Sequence, residues 1–464
     1  MDALKLFLSQ RRFDLIYKYL YVTNPCEYNK RAYLENIRAF TNDRFVELEP
    51  SDGVPKVSSD DYVNSFDRLV INLKSQKFDV GKGMIPVQTN GEISDGAHRL
   101  AACAALGIDV ETTPDKSNQD LFTYEFFHAR KMDPDMMDYG ALEYVKLNPD
   151  TYIVNLHAVN STDQDDKVLE ILNRYGFVYY KKNIKMNLNG YVNLVKLSYG
   201  SFWEREQWIG DETDNFAGAY HHAKMSCGKS PMRIFVFVCD DLKKVVKAKA
   251  EIRGLFNIGN YSVHICDTHE EAIWLAETYF NKNSLMYIKS KPYKFVDLRF
   301  DENLNYLRNK LRELGVPTDD VCCVGSSPIN AYGIRHASDV DYLSVNNKFY
   351  VEDEIISPHD DQLQYYKKSK IEIVTNPHYF FYYQGIKIGT LQLIGLLKYR
   401  RGEFPKDWRD LCSIVIILLK QFLRKSSLSS QIPIGVKWYR LKKKLRKNKI
   451  LYSMYKIIRR RKDE

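Results

Sequence analysis

No stretch of this 464-residue chain is apolar for long enough to cross a bilayer: the longest run, Ile414 to Leu419 with its flanks, stops at Lys420, far short of the roughly 20 residues that a membrane helix needs. The cysteines are few and scattered. Apart from the adjacent Cys322 and Cys323, the eight show neither CxxC nor Cys/His ligand spacing, which argues against a structural zinc site or a disulfide framework and for a reducing compartment. The opening segment carries Arg11, Arg12, Asp14 and Lys18 within its apolar pattern and has no small-residue cleavage site. It therefore reads as an amphipathic helix rather than a signal peptide, and the expected location is the cytoplasm. No internal repeat or low-complexity tract is visible. A phosphate loop is missing as well, because the GKS triplet at 228–230 has Ala223 in place of the first glycine and Pro231 where a helix should run on.

A net basic body is a further absence. The formal charge is +9, but Lys437 to Glu464 hold 13 Lys and Arg against 2 acids, leaving 55 basic against 57 acidic residues elsewhere. Nucleic acid is therefore not an expected partner of the body. The tail sets its basic residues among Trp438, Leu441, Leu445, Ile450, Leu451, Tyr455 and Ile458 at loosely helical spacing, a composition suited to lying on the anionic inner face of a membrane.

With 44% apolar residues over this length, the chain can bury two or three cores. Helices are expected over most of 1–40 and over Asp60 to Lys74, and a strand over FVELEP at 45–50. MIPVQT at 84–89 reads as a buried strand, Asn90-Gly91 as a hairpin turn, and AHRLAACAALG as a helix ended by Gly107. TYIVNLHAV, KVLEILNRYGF and YVNLVKLSYG read as strand, helix, strand. RIFVFVC, the Lys-rich helix Asp241 to Phe256, YSVHIC and the helix His269 to Tyr279 repeat that order. The fold class is α+β and multidomain: an N-terminal helical segment 1–40, an α/β domain 41–200, an α/β middle region 201–293, a third domain 294–430 and a basic helical tail 431–464.

Two segments carry chemistry. In VCCVGSSPINAYGIRHASDVDYLSV, 321–345, a strand leads to a Gly-Ser turn and then to two acids spaced by one residue. Alternate residues of a strand face the same way, so Asp339 and Asp341 project together while Val340 and Tyr342 point to the other face. Paired carboxylates can hold Mg²⁺ against nucleotide phosphates, and Gly325 and Ser326, with Ser327 beside them, can grip a phosphate. This segment resembles the polymerase-beta-like nucleotidyltransferases. The resemblance implies a third carboxylate on a neighbouring strand, for which Glu372 in KIEIV is the candidate, so that Asp339, Asp341 and Glu372 would be both metal ligands and catalytic residues. The stretch from QGIKI to LLKYRRGEFPKDWRDL is similar to sugar- and phosphocholine-activating relatives, with Lys387, Lys398, Arg401, Lys406, Asp407 and Asp410 at the matching positions and Lys387 as a nucleotide contact. A structural ion-pair set is the competing reading of those residues.

In GMIPVQTNGEISDGAHRLAACAALG, 83–107, a turn with Asp95, Gly96, His98 and Arg99 opens a helix, where the helix dipole, free N–H groups and a guanidinium converge on a phosphate. The segment resembles the ParB/sulfiredoxin superfamily. Ala97 stands where a sulfiredoxin has its catalytic Cys, and no helix-turn-helix follows as in chromosome-segregating ParB proteins. The DGxHR form is most similar to the free serine kinase branch, which implies phosphorylation of a small alcohol from ATP or ADP and a carboxylate base upstream. Asp52, Asp60, Asp61, Glu47 and Glu49 lie in that neighbourhood, and Asp52 is the candidate base.

Together these expectations describe a bifunctional enzyme that phosphorylates an amino acid, polyol or sugar and then transfers a nucleotidyl group, from CTP by family analogy, to build a precursor for surface polysaccharide. The alternatives are a ParB-like nucleotide-dependent DNA-binding protein and a nucleotidyltransferase that modifies RNA or protein. His221, His222 and His264, with Asp267, fit no metal-ligand spacing and read as strand-end or capping residues.

Overall fold

A computed structural model describes residues 1–48, 53–76, 84–117, 122–200 and 206–425. The chain divides into two compact units, Met1–Leu188 with Tyr220–Asn281, and Asn189–Ala219 with Lys282–Glu464. Both mix helices and strands, as an α+β chain should. Among the described residues no helix is long and apolar enough to cross a membrane. The basic tail, and with it the expected membrane-surface helix, lies outside them.

In the first unit, β1 (Ile85–Gln88) pairs in parallel with β2 (Thr112–Asp115). A parallel pair needs a crossover, and the helix Ala97–Leu106 supplies it. Ala97, Ala101, Ala102, Cys103 and Ala104 are all buried there, small side chains that let the helix Leu15–Thr23 pack closely against it. Gly107, at φ +65°, ends it in the left-handed conformation that glycine takes without strain. A second sheet has the order β4-β5-β3-β6, formed by β3 (Thr151–Leu156), β4 (Phe177–Ile184), β5 (Met232–Val238) and β6 (Val263–Ile265), all antiparallel. Val154, Leu156, Phe235, Phe237, Val263 and Ile265 of this sheet bury against Val168 and Leu172 of the helix Asp165–Tyr175 and Val245 and Ile252 of the helix Leu242–Phe256. Because β5 lies between β4 and β3, residues 201–293 do not form a region of their own. Their strands complete the sheet begun at Thr151.

The second unit holds one mixed sheet of order β10-β11-β7-β8-β9, from β7 (Val321–Cys323), β8 (Val340–Ser344), β9 (Ile356–Pro358), β10 (Phe380–Tyr383) and β11 (Ile386–Gly389). Within it β7 runs antiparallel to β8 and parallel to β11. The helix Leu298–Glu313 precedes it, and the helices Leu391–Arg401 and Lys406–Lys425 follow.

Three sequence expectations fail, each for a local reason. YVNLVKLSYG is the end of the helix Leu188–Gly200 rather than a strand. Its buried residues Tyr191, Val192, Leu194, Val195 and Ser198 follow a helical period, and the Asn193 amide donates to the carbonyls of Ile288 and Lys291. KIEIV is the helix Lys370–Thr375, started by the Ser369 hydroxyl accepting from the Glu372 N–H at 3.1 Å. FVELEP makes only an isolated bridge, Glu47 to Lys56, within the described residues.

Candidate functional site

The acidic pair of the second unit lies where β8 begins. Val340 and Tyr342 are fully buried on one face, which leaves Asp339 and Asp341 half-buried on the other. Main-chain bonds fix the pair to the preceding strand, the Val324 N–H donating to the Asp341 carbonyl at 2.8 Å. Gly325, at φ +57°, then turns the chain beneath the Asp341 side chain. A Cβ built on Gly325 would lie 1.8 Å from Asp341 Oδ2, so the sequence needs glycine here on two counts, its positive φ and the space the carboxylate fills. Behind this turn the Gly325 N–H bonds the Tyr366 hydroxyl, which in turn contacts His359 Nδ1 at 3.0 Å. Burial holds the His359 imidazole below its usual range against the pull of Asp341. The Ser357 hydroxyl donates to Asp341 Oδ1 at 3.3 Å, and the Ser338 hydroxyl to Asp339 Oδ1 at 2.8 Å. Among the described residues neither carboxylate forms an ion pair.

The other residues expected at this site go elsewhere. Glu372 sits in the first turn of its helix, 2.6 Å from Lys368 Nζ and 3.1 Å from the Tyr379 hydroxyl. Lys387 is buried, and its amine donates to the carbonyls of Asp319 at 2.6 Å and Val374 at 3.1 Å. It braces the sheet rather than facing a nucleotide. Ser326 is half-buried at the turn, and Ser327 is fully buried. The downstream motif closes on itself: Lys398 Nζ lies 3.0 Å from Asp407 and 2.8 Å from Asp410. Arg401 clasps Asp407 with two nitrogens, and Arg335 clasps Asp410 at 2.9 Å through both of its own. Lys406 is exposed. The ion-pair reading of this motif is the one that the geometry supports. Arg335 is the partner that the sequence did not reveal, since nothing in its spacing marks it as facing a helix 75 residues on.

Among the described residues, no three His, Cys, Asp or Glu side chains are grouped so as to hold a metal ion. Two carboxylates on one face nevertheless suit Mg²⁺, which keeps waters and takes its remaining oxygens from substrate phosphates. Asp339 and Asp341 would hold it.

Against models of protein families, curated proteins and solved structures, the chain has no match.

In the first unit, Gly96 begins the helix Ala97–Leu106 at φ +80° without a side-chain cap. The Arg99 guanidinium folds back over it, 3.3 Å from where a Cβ would stand, and Asp95 is exposed beside it. His98 turns inward instead. Its Nε2 meets the Tyr33 hydroxyl at 3.0 Å and its ring stands edge-on to Phe66. Burial, with the Lys18 ammonium nearby, holds this imidazole neutral well below its usual range. Among the electrostatic neighbours of His98 is a buried charge chain, with Asp14 Oδ2 2.7 Å from Lys18 Nζ and 3.0 Å from Arg12. Asp52 and Glu49 lie outside the described residues. Asp60 is exposed, and Asp61 is occupied by the Val57 N–H and the Ser58 hydroxyl. Glu47, 3.0 Å from Lys56, acts electrostatically on both Lys18 and Tyr33, which places it beside the inward-facing His98 cluster.

The histidines also resolve. His264 Nε2 pairs with Glu271 at 2.7 Å, His222 packs on Tyr261 and near His157, and Asp267 pairs with Lys249.

Proposed function

We propose that the second unit is a metal-dependent nucleotidyltransferase of the polymerase-beta-like kind and that the first, ParB/sulfiredoxin-like, phosphorylates the small alcohol on which it acts. The observation that carries this reading is the Asp341 carboxylate resting over Gly325, with Asp339 two residues before it and, among the described residues, no ion pair to either. A Mg²⁺ ion bound there would polarise the α-phosphate of the nucleotide. The chain's own contribution is positional, with β8 carrying Asp341, Asp339 just before it, and the Gly325 turn bringing backbone close to Asp341.

In the transfer, an oxygen of the phosphorylated acceptor forms a bond to the α-phosphorus. The bond from that phosphorus to the bridging oxygen breaks, and pyrophosphate leaves with the electron pair. An acceptor phosphate that is already ionised needs no base for this, so the reading does not depend on a third carboxylate. In the first unit, Gly96 and Arg99 would take the phosphate, and an upstream carboxylate, for which Asp52 is the sequence candidate with Glu47 among the alternatives, would receive the hydroxyl proton. The product would be a nucleotide-linked precursor for a surface polysaccharide, delivered beside a membrane by the basic tail.

The test is to incubate the full chain with Mg²⁺, ATP or ADP, CTP, and serine, glycerol or ribitol, following products by mass spectrometry. A phosphorylated alcohol that becomes a CDP-linked compound is the expected result. Asp341→Ala should lower the second step about 10³-fold or more and spare the first, and Arg99→Ala should do the reverse. Loss of both steps in either folded variant would end the two-site reading.

A further inference from the structure

The loop that leads into β8 carries one more residue with a fixed and outward-facing functional group. His336 Nδ1 lies 2.5 Å from Asp297 Oδ2, and the two differ sharply in exposure, 75% for the imidazole against 8% for the carboxylate. Three elements hold that carboxylate. Its Oδ1 accepts from the Phe300 N–H at 3.2 Å at the start of the helix Leu298–Glu313, and its Oδ2 accepts from the Asn330 amide at 2.6 Å as well as from His336. Phe295 flanks the imidazole, with ring centroids 6.0 Å apart. Gly333, at φ +69°, brings the backbone so close to Phe295 that a Cβ would lie 2.9 Å from its ring. The ring orientation is thereby set, Nδ1 inward on a fixed carboxylate and Nε2 open.

We infer that His336, oriented by Asp297, holds the β- and γ-phosphates of the nucleotide, which leave as pyrophosphate. The inference rests on the nucleotidyltransferase reading and adds a residue to it. Asn330 belongs to the helix Ser327–Ala331 that follows the Gly325–Ser326 turn, so one carboxylate ties that turn's helix to the imidazole, and Asp339 follows His336 by three residues. The nucleotide, rather than the acceptor, is the source of phosphate that this connection favours.

An imidazole that donates from Nδ1 to Asp297 can donate a second bond from Nε2 only as imidazolium. In that form the Asp297 carboxylate balances the ring's charge while Nε2 faces the phosphates. The charged group in contact with His336 is Asp297, from the turn before Leu298, and Arg335 precedes it in its own loop. Arg335 is already paired with Asp410 of the helix Lys406–Lys425. When the α-phosphorus bond breaks, the negative charge that grows on pyrophosphate meets a cation already in place, and no proton passes to the product.

The experiment is isothermal titration of the full chain with Mg²⁺ and the α,β-methylene analogues of the four ribonucleoside triphosphates. Inorganic phosphate serves as a second probe. The wild type should bind one analogue. His336→Asn, on so exposed a side chain, should fold normally and bind that analogue roughly ten- to hundredfold more weakly. Asp297→Asn, checked by thermal unfolding, should weaken binding in the wild type and add nothing on the His336→Asn background. Equal affinity in wild type and His336→Asn overturns the inference. So does lost affinity for inorganic phosphate with the analogue held as before, which would assign His336 to the acceptor. A wild type that binds no analogue removes the nucleotidyltransferase reading itself.

Discussion

Two sets of acids in the second unit carry motif-like spacing, and the structure treats them in opposite ways. Asp407 and Asp410 are buried and fully neutralised by Lys398, Arg401 and Arg335. Asp339 and Asp341 are half-buried, each accepts a hydroxyl bond, neither forms an ion pair among the described residues, and a glycine turn lies beneath Asp341. A carboxylate whose charge is already spent on arginine cannot also bind a cation, so spacing alone does not separate a structural set from a functional one. Their cations do. On the proposed nucleotidyltransferase reading, the comparison predicts opposite costs, stability for the first set and activity for the second.

The largest stability effect should come from Asp407→Ala. Both Asp407 and Lys398 are buried, and removing Asp407 takes a partner from Arg401 and leaves Lys398 to share Asp410 with Arg335, at a cost of about 3 kcal/mol. Chemical denaturation would read this as a lowered midpoint with nucleotidyl transfer lost only as the protein unfolds. If Asp407→Ala were as stable as wild type, the set would have to be relieving nothing, and the contrast with Asp341 would collapse.

Gly325→Ala should break the other half of the contrast. A Cβ there needs positive φ and meets the Asp341 carboxylate, so the variant carries about 1–2 kcal/mol of backbone strain and must displace Asp341. Turnover should fall at least tenfold while Asp407 and its partners stay intact, measurable as a kcat loss out of proportion to the change in denaturation midpoint.

Acid should separate the two units. His98, His157 and His222 of the first unit are held neutral by burial, His222 down to about 4. Their folded pKa values lie below the unfolded value of about 6.5, so the unfolded chain binds protons that the folded unit does not. Stability therefore falls as pH drops below about 6.5, by up to about 1.4 kcal/mol per pH unit for each histidine. Asp138, pushed up to about 6 by burial, and Glu92, also raised by burial, work in the other direction, two groups against three. In the second unit Asp407 and Asp410 are depressed, burial raising them less than Arg401, Arg335 and Lys398 lower them. Their stabilisation persists to about pH 4 and is lost only as pH falls further. His359 adds one neutral histidine to that unit. Unfolding followed by hydrogen exchange at stepped pH should show the first unit opening before the second, and His222→Gln should flatten the first unit's slope.

Much of this was legible in the sequence, and the parts that were not share a cause. The helix Ala97–Leu106 and the strands β3, β5, β7 and β8 were read correctly because local period and turn chemistry determine them. The helices Leu188–Gly200 and Lys370–Thr375 were read as strands because their β-branched and aromatic residues suit either state; the buried Asn193 and the Ser369 cap decide. Lys387, Arg335, Asp297 and His98 were beyond local reading, since each is defined by a partner far away in the chain.

Glu372 is where these two kinds of evidence meet, and it gives the smallest expected effect. As a strand residue it would complete a metal triad; as the third residue of a capped helix it is half-exposed and paired with Lys368. An exposed i,i+4 pair of that kind contributes about 0.3–0.5 kcal/mol. Glu372→Ala should therefore shift the denaturation midpoint barely and change nucleotidyl transfer less than twofold, with an unaltered Mg²⁺ requirement. A loss approaching that of Asp341→Ala would mean that nucleotide binding draws the Lys370–Thr375 helix into the site, and the two-carboxylate arrangement would give way to three.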